Sequence, residues 1–229
     1  MSITYHRNIL QGSTEWHALR CGLITGSEIK LLLTPTLKRA NNDRSRAHVW
    51  ELAAQRITRY VEPSYVGDDM LRGHEDEFYA RQLYSERIAK VEEVGFVTND
   101  SFGFTIGCSP DGIVGSDGLI ECKSRRQKFQ VQTIVEHWRD GVVPDDFMLQ
   151  VQAGMLICDR KWCDLVSYSG GLPMETIRIA RDTDICEAIV DACGAAEAAI
   201  AAVMADFAAA VKARGLIKTE RRVREEMYL

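Results

Sequence analysis

The segment Leu119-Ile120-Glu121-Cys122-Lys123 constrains this chain more than any other. Leu and Ile ahead of it mark a half-buried strand, and strand alternation puts Glu121 and Lys123 on one face. Charged side chains on a half-buried strand cost desolvation unless they have partners or a task. Ser116-Asp117-Gly118 is a turn signal. It folds the preceding short strand, Gly112–Val114, back against this one. Asp111 stands just before that strand, in Cys108-Ser109-Pro110-Asp111-Gly112, and the turn brings it near Glu121.

Two carboxylates and an ammonium in this pattern suit phosphodiester hydrolysis. Asp111 and Glu121 are hard oxygen ligands for Mg²⁺, and the main-chain carbonyl of Cys122 is a third. A cation held there polarises a phosphate and lowers the pKa of a water. Lys123 sits beside that water and can orient it, help deprotonate it, or neutralise charge growing on the phosphate. Burial and the cation would lower the Lys123 pKa while the carboxylates would hold it up, and the sequence leaves the balance open. The plain alternative is a surface hairpin with an exposed Glu–Lys pair of little energetic consequence.

Around this centre the elements change in type along the chain. Glu28–Leu33 reads as a helix with Ser27 as its N-cap, stopped by Thr34-Pro35. Ala47–Tyr60 follows as a helix, Pro63–Asp69 as a loop, and Met70–Lys90 as a long helix with Leu71, Phe78, Leu83 and Ile88 on its apolar side. Val91–Val97, Phe102–Ile106, Gly112–Val114 and Leu119–Cys122 read as a meander of antiparallel strands. Helices are expected over Gln130–Arg139 and Asp145–Cys158, strands over Asp164–Tyr168 and Glu175–Ile179, and a long Ala-rich helix over Thr183–Arg214. With no repeat and no linker, residues 1–229 read as one domain of α/β (α+β) class, with a central mixed sheet flanked by helices.

The net charge of −5 argues against coating nucleic acid by bulk charge, though not against a local basic channel. Two basic runs exist, Lys38–Arg46 and Lys123–Lys128. The seven cysteines lack zinc or cluster spacing and read as reduced, mostly buried thiols. The start lacks an apolar leader segment, and Ala195–Val211 reads as too short and too charged to span a bilayer. A cytoplasmic protein with no membrane partner is the expectation.

The motifs extend beyond the central pair. Trp16-His17-x-Leu19-Arg20-x-Gly22-x-Ile24-Thr25-x-Ser27-Glu28, then Gly73 with Glu77, then Cys108-Ser109-Pro110-Asp111-Gly112, then Glu121-x-Lys123, then Gln150-Val151-Gln152 stand in this order. Together they resemble the phage lambda exonuclease family, the YqaJ-type viral recombinases, within the PD-(D/E)xK nuclease superfamily. The resemblance covers Trp16 to about Leu156; the C-terminal part carries no matching motif.

The resemblance implies a restriction-endonuclease-like PD-(D/E)xK core and a 5′→3′ exonuclease acting on double-stranded DNA ends, leaving 3′ single strands. It implies Mg²⁺, with Mn²⁺ equally suited to oxygen ligands, and two ions per site. It further implies a ring-shaped homotrimer and a single-strand annealing protein as partner. Asp111, Glu121 and the Cys122 carbonyl would be metal ligands, Lys123 would act on the attacking water, and Glu77 would help hold a second ion through water. Residues two apart on a helix point about 200° from one another, so only one of Gln150 and Gln152 can face the site. Gln152 is the expected one, orienting the nucleophile or Lys123, while Gln150 touches DNA or packs. Arg20, Ser27 and Ser109 would hold a 5′-terminal phosphate, helped by a helix N-terminus. Trp16 reads as packing, Met70 and Leu71 as a duplex wedge or core, and Lys38–Arg46 lies where the family has a DNA-contacting arch. The alternatives are an endonuclease of the same superfamily and a non-catalytic DNA-end-binding module. A metabolic α/β enzyme is disfavoured by the lack of any phosphate-loop or nucleophile-elbow signature.

Overall fold

The computed structural model describes residues 2–63 and 67–221. The sheet is mixed, as expected, but it is divided in two. The first sheet contains β1 (Ile3–His6), β2 (Ile24–Thr25), β3 (Phe96–Asn99) and β4 (Ile106–Cys108) in the order β1-β3-β4-β2, with only β2 and β4 parallel. The second contains β5 (Gly112–Val114), β6 (Gly118–Ser124), β7 (Trp162–Tyr168) and β8 (Glu175–Ala180) in sequence order, with only β6 and β7 parallel. The expected meander therefore breaks between β4 and β5, at Ser109-Pro110-Asp111. Proline has no amide donor to continue a ladder. Ser109 and Asp111 are left at the junction of the two sheets.

Among the described residues, seven α-helices pack with this frame: α1 (Thr14–Arg20), α2 (Ile29–Leu32), α3 (Asp43–Thr58), α4 (Asp68–Arg87), α5 (Gln127–Asp140), α6 (Met148–Cys158) and α7 (Thr183–Arg214). Helix α6 joins the sheets. Leu149, Val151, Ala153, Met155, Leu156 and Ile157 are all buried on it, and a helix that is apolar all round belongs in a core. One apolar cluster runs from Ile24 and Ile106 of the first sheet through α6 to Leu119 and Leu165 of the second.

Several expectations need correction. Ser27 is not a helix N-cap: it lies inside a short 3-10 turn, Gly26–Glu28, and a capping box links Thr25 with Glu28. The basic run is partly helical, because Asn42 caps α3 through Ser45 N at 3.0 Å. Arg39 is tied to Asp191 and Arg46 to Asp43, and both arginines line a groove against α7 rather than an arch over the site. Residues 64–66 of the expected Pro63–Asp69 loop lie outside the described residues, while Asp68 and Asp69 begin α4. Leu71 and Phe78 of α4 and Ile88 just after it face solvent, and among the described residues of the helix Ala80 and Tyr84 are the buried ones. Glu77 and Arg81 lie on that inward side, at helical spacing from them. Met70 and Leu71 are exposed, which excludes core packing for both.

Helix α7 starts on Asp182, whose carboxylate accepts from the Asp184 and Ile185 amides. It is long and apolar enough to cross a membrane by length and composition alone, but it buries Cys186, Ile189, Ala192, Cys193, Ala196 and Ile200 in the protein core. Arg56 of α3 donates two 2.6 Å bonds to Glu197 on it. Six of the seven cysteines are buried, and all seven are free thiols.

Helix α4 is anchored by one buried polar group. Tyr84 Oη donates to Asp164 Oδ2 at 2.6 Å, and Arg178 forks onto the same carboxylate with two 2.8 Å bonds while its guanidinium lies over the Trp162 ring. Tyr84→Phe should destabilise the fold by about 1–3 kcal/mol, the range for a lost bond to a buried charged acceptor, as read by urea denaturation. An unchanged midpoint would mean that the seating of α4 does not depend on this bond.

Candidate active site

Strand β6 lies between β5 and β7, and β5 is short. Its pairing with β6 ends at Gly112 opposite Ile120. One step further the Cys122 amide donates at 2.6 Å to the Asp111 carboxylate instead of to a strand. A residue's N–H and C=O point the same way from an extended strand. The Cys122 carbonyl therefore faces the Asp111 side too. Asp111 and Glu121 are both buried, at 9% and 8% exposure.

Lys123 Nζ donates to Glu121 Oε1 at 2.6 Å and to Gln150 Oε1 at 3.0 Å. Gln150 Nε2 donates back to Glu121 Oε1 at 2.6 Å, closing a triangle. Gln150 is thus the α6 glutamine that meets the site. Gln152 is turned away and fully buried. Its Nε2 donates to Ala180 O and its Oε1 accepts from Asp182 N, each at 2.9 Å, tying α6 to the start of α7. Because α6 is buried all round, its sequence carries no amphipathic stripe to say which glutamine looks inward.

Glu77 approaches from α4. Arg81 Nη1 donates to Glu77 Oε1 at 3.1 Å and to the Asp111 carbonyl at 3.3 Å, and its Nη2 pairs with Glu93. Arg81 was not anticipated. Its place four residues after Glu77 on one helix face was the available signal.

Two clefts flank this centre, and Pro110 lines both. The first, about 220 Å³, is lined by Trp16, Arg20, Ser27, Ser109, Glu121 and Gln150. The second, about 310 Å³, is lined by His74, Glu77, Arg81 and Asp111 among others. Arg20, Ser27 and Ser109 are thus brought together, in the cleft that Glu121 and Gln150 close. Gly26 makes that possible: a Cβ there would lie 3.3 Å from Cβ of Cys108, so the turn seats directly on β4. The helix N-terminus expected to help hold an anion is reduced to this three-residue turn. Trp16 packs under Arg20, 4.4 Å from guanidinium to ring centroid, and its Nε1 donates to Ser109 Oγ at 2.8 Å. Beyond that ring, Arg20 lies 5.8 Å from the Phe96 ring centroid and makes a 3.4 Å contact with Thr25 Oγ1.

The electrostatics favour a cation at the junction. Burial pushes the Asp111 carboxyl well above its ordinary range, and Glu121 and Glu77 push it further. Burial works to lower the Lys123 pKa, but Glu121, Asp111 and Glu77 outweigh it and the net shift is upward. Lys123 is therefore an ammonium at neutral pH. No cluster of three or more His, Cys, Asp or Glu side chains is close enough to hold a metal ion among the described residues. Asp111, Glu121 and the Cys122 carbonyl would offer an ion hard oxygens of the kind that suits Mg²⁺ or Mn²⁺, with water completing the shell.

Residues 15–161 match the YqaJ-like viral recombinase domain. The chain belongs to this family. The alkaline exonuclease of Laribacter hongkongensis is 30% identical, with a TM-score of 0.70 over 86% of this chain and 98% of that one. The same enzyme in complex with dAMP gives 31% identity and a TM-score of 0.71. A phage-related exonuclease from Haemophilus somnus 129PT shares the fold at 15% identity, with a TM-score of 0.61 over 81% of this chain and 96% of that one. No curated protein sequence matches. The family member described here is a DNA nuclease with the PD-(D/E)xK fold.

A carboxyl whose folded pKa is raised takes up protons on folding, so its contribution to stability falls as pH rises from the unfolded pKa toward the folded one. In EDTA, Asp111→Asn should therefore raise Tm above wild type at pH 7–8, and the gain should vanish below about pH 4, the ordinary aspartate range. The expected rise is several degrees, at about 2–4 °C per kcal/mol for a chain of this size. Adding Mg²⁺ should stabilise wild type and leave the variant unmoved. A variant less stable than wild type in EDTA at pH 8 would contradict the charge balance described.

Proposed function

We propose that this chain acts as a single cytoplasmic nuclease domain, a Mg²⁺-dependent exonuclease. It digests one strand of double-stranded DNA from the 5′ end and leaves 3′ single strands for recombination. One observation carries the reading: Arg20, Ser27 and Ser109 line the same cleft as Glu121 and Gln150. A guanidinium fork with two hydroxyls suits a terminal phosphate dianion. A pocket for that group next to the hydrolytic centre gives the reaction a direction, because each cut creates a new 5′ phosphate.

The cation would be held by Asp111, Glu121 and the Cys122 carbonyl, with Glu77 behind them for a second ion through water; it would supply Lewis-acid polarisation of the scissile phosphate and an activated water. The chain's own residues do the rest. Lys123 carries a positive charge into the site and offsets charge growing on the phosphate. Gln150 fixes Lys123 and Glu121 in one geometry, so neither has to reorganise during reaction. Arg81 holds Glu77 against the Asp111 main chain. Burial around Asp111 keeps bulk water from screening these charges. The dAMP held by the Laribacter enzyme fits a mononucleotide product.

A ring-shaped homotrimer threaded by duplex and a single-strand annealing partner are part of the same proposal. Exposed apolar side chains such as Trp138, at 85%, and Phe207 are surface such assembly would cover. A superfamily endonuclease is the second reading, and the terminal-phosphate cleft disfavours it.

Linear duplexes labelled at either end, with and without a 5′ phosphate, test the proposal. In Mg²⁺ the expected result is mononucleotide release from the 5′ end, faster with the phosphate, and no cutting of closed circles. Arg20→Ala should abolish the advantage of the phosphate. Lys123→Ala should lower kcat about 100-fold or more, and Gln150→Ala about 10–100-fold. Gln152→Ala should instead cost about 1–3 kcal/mol of stability through unpaired main-chain groups. Cleavage of closed circles, or indifference to the 5′ phosphate, would overturn the reading.

A further inference from the structure

The basic run after β6 contains a group that the site above does not use. Arg125 follows Lys123 by two residues. Its amide donates to Tyr168 O at 2.7 Å, so the backbone still follows β7 and the two cations share one face. The Arg125 guanidinium lies 5.1 Å from the Phe147 ring centroid and 5.3 Å from that of Phe129. Lys123 Nζ lies 5.2 Å from Phe147, and Lys128 Nζ 4.7 Å from Phe129. Cations and rings therefore alternate in a line leading away from the hydrolytic centre: Lys123, Phe147, Arg125, Phe129, Lys128.

A guanidinium covered on two sides normally has its donors matched. Arg125 does not. Its Nε is buried with no hydrogen-bond partner among the described residues. Its Nη2 makes only a 3.5 Å contact with Thr133 Oγ1. Asp146 is the carboxylate that acts on it, and only through space. Phe129 is 39% exposed. Unmatched guanidinium donors beside a solvent-accessible aromatic ring suit a sugar–phosphate chain with a base attached. An acidic protein side chain would satisfy the arginine and leave the ring idle.

We propose that Arg125 and Phe129 form a subsite for the nucleotide next to the one whose phosphate lies at Lys123. Arg125 takes the neighbouring backbone phosphate, Phe129 stacks on a base, and Phe147 spaces the two cations. This rests on the nuclease reading for what occupies Lys123.

The test is binding of a fluorescent, 5′-phosphorylated duplex with a short single-stranded 3′ tail to the full chain, in Ca²⁺ in place of Mg²⁺, followed by anisotropy across a KCl series. Arg125→Ala should weaken binding and reduce the slope of log K against log[KCl] by about 0.7–0.9, one phosphate contact. Arg125→Lys should keep the slope. Phe129→Ala should weaken binding about fivefold or more with the slope unchanged, because stacking releases no counterions. Each variant's Tm is measured alongside. A folded Arg125→Ala protein with the wild-type slope overturns the subsite, as does a Phe129→Ala protein with wild-type affinity. Digestion by the wild type reports the other reading separately. Cutting with an unchanged slope sinks the subsite alone; the expected slope change without cutting sinks the exonuclease proposal and leaves the subsite standing.

Discussion

The hydrogen bond from the Cys122 amide to the Asp111 carboxylate holds the centre of this molecule together. A strand in a sheet expects its amides to be met by a neighbouring strand, and β5 stops too soon to meet this one. Asp111 takes the place of the missing carbonyl. The substitution sets a carboxylate beside Glu121 at the point where the two sheets part. It also turns the Cys122 carbonyl toward the same opening. Pro110 forces the break, and the break leaves the two buried carboxylates at the junction.

Everything around this point bears on a concentration of negative charge inside a core. Asp111, Glu121 and Glu77 repel one another, and burial makes the repulsion felt. The fold answers with cations in fixed places: Lys123 on Glu121, and Arg81 on Glu77. Helix α6 supplies Gln150 to lock the lysine, and helix α4 is fastened by Tyr84 to Asp164 so that Glu77 stays in reach. Stability is given up at the junction and recovered in the apolar cluster that α6 threads between the sheets.

Much of this was legible in the chain itself. Alternation in Leu119–Lys123 and the turn at Ser116–Gly118 put Asp111, Glu121 and Lys123 together, because strand geometry has a short period and a strong turn signal fixes its register. The motif order from Trp16 to Gln152 carried the family. What failed did so for physical reasons. Leu71, Phe78 and Ile88 pointed to the wrong face of α4, because its inner face is given to Glu77 and Arg81, and the apolar periodicity reports hydrophobicity rather than chemistry. Gln152 was the expected site glutamine and Gln150 takes that place, because a helix buried on every side has no outward stripe to distinguish them. Ser27 looked like a cap, yet Thr25 and Glu28 form the box and free the serine for the cleft. Arg125 passed as one member of the basic run Lys123–Lys128, since only the third dimension shows its guanidinium unmatched.

The central claim is that the sheet junction is built for a divalent cation. Crystals soaked in Mn²⁺ and measured at the manganese edge address it directly. The account predicts an anomalous peak within about 2.0–2.6 Å of carboxylate oxygens of both Asp111 and Glu121 and of the Cys122 carbonyl, the range for hard cations on oxygen, lost in Asp111→Asn crystals. A peak elsewhere, or none at the junction at millimolar Mn²⁺, would contradict it.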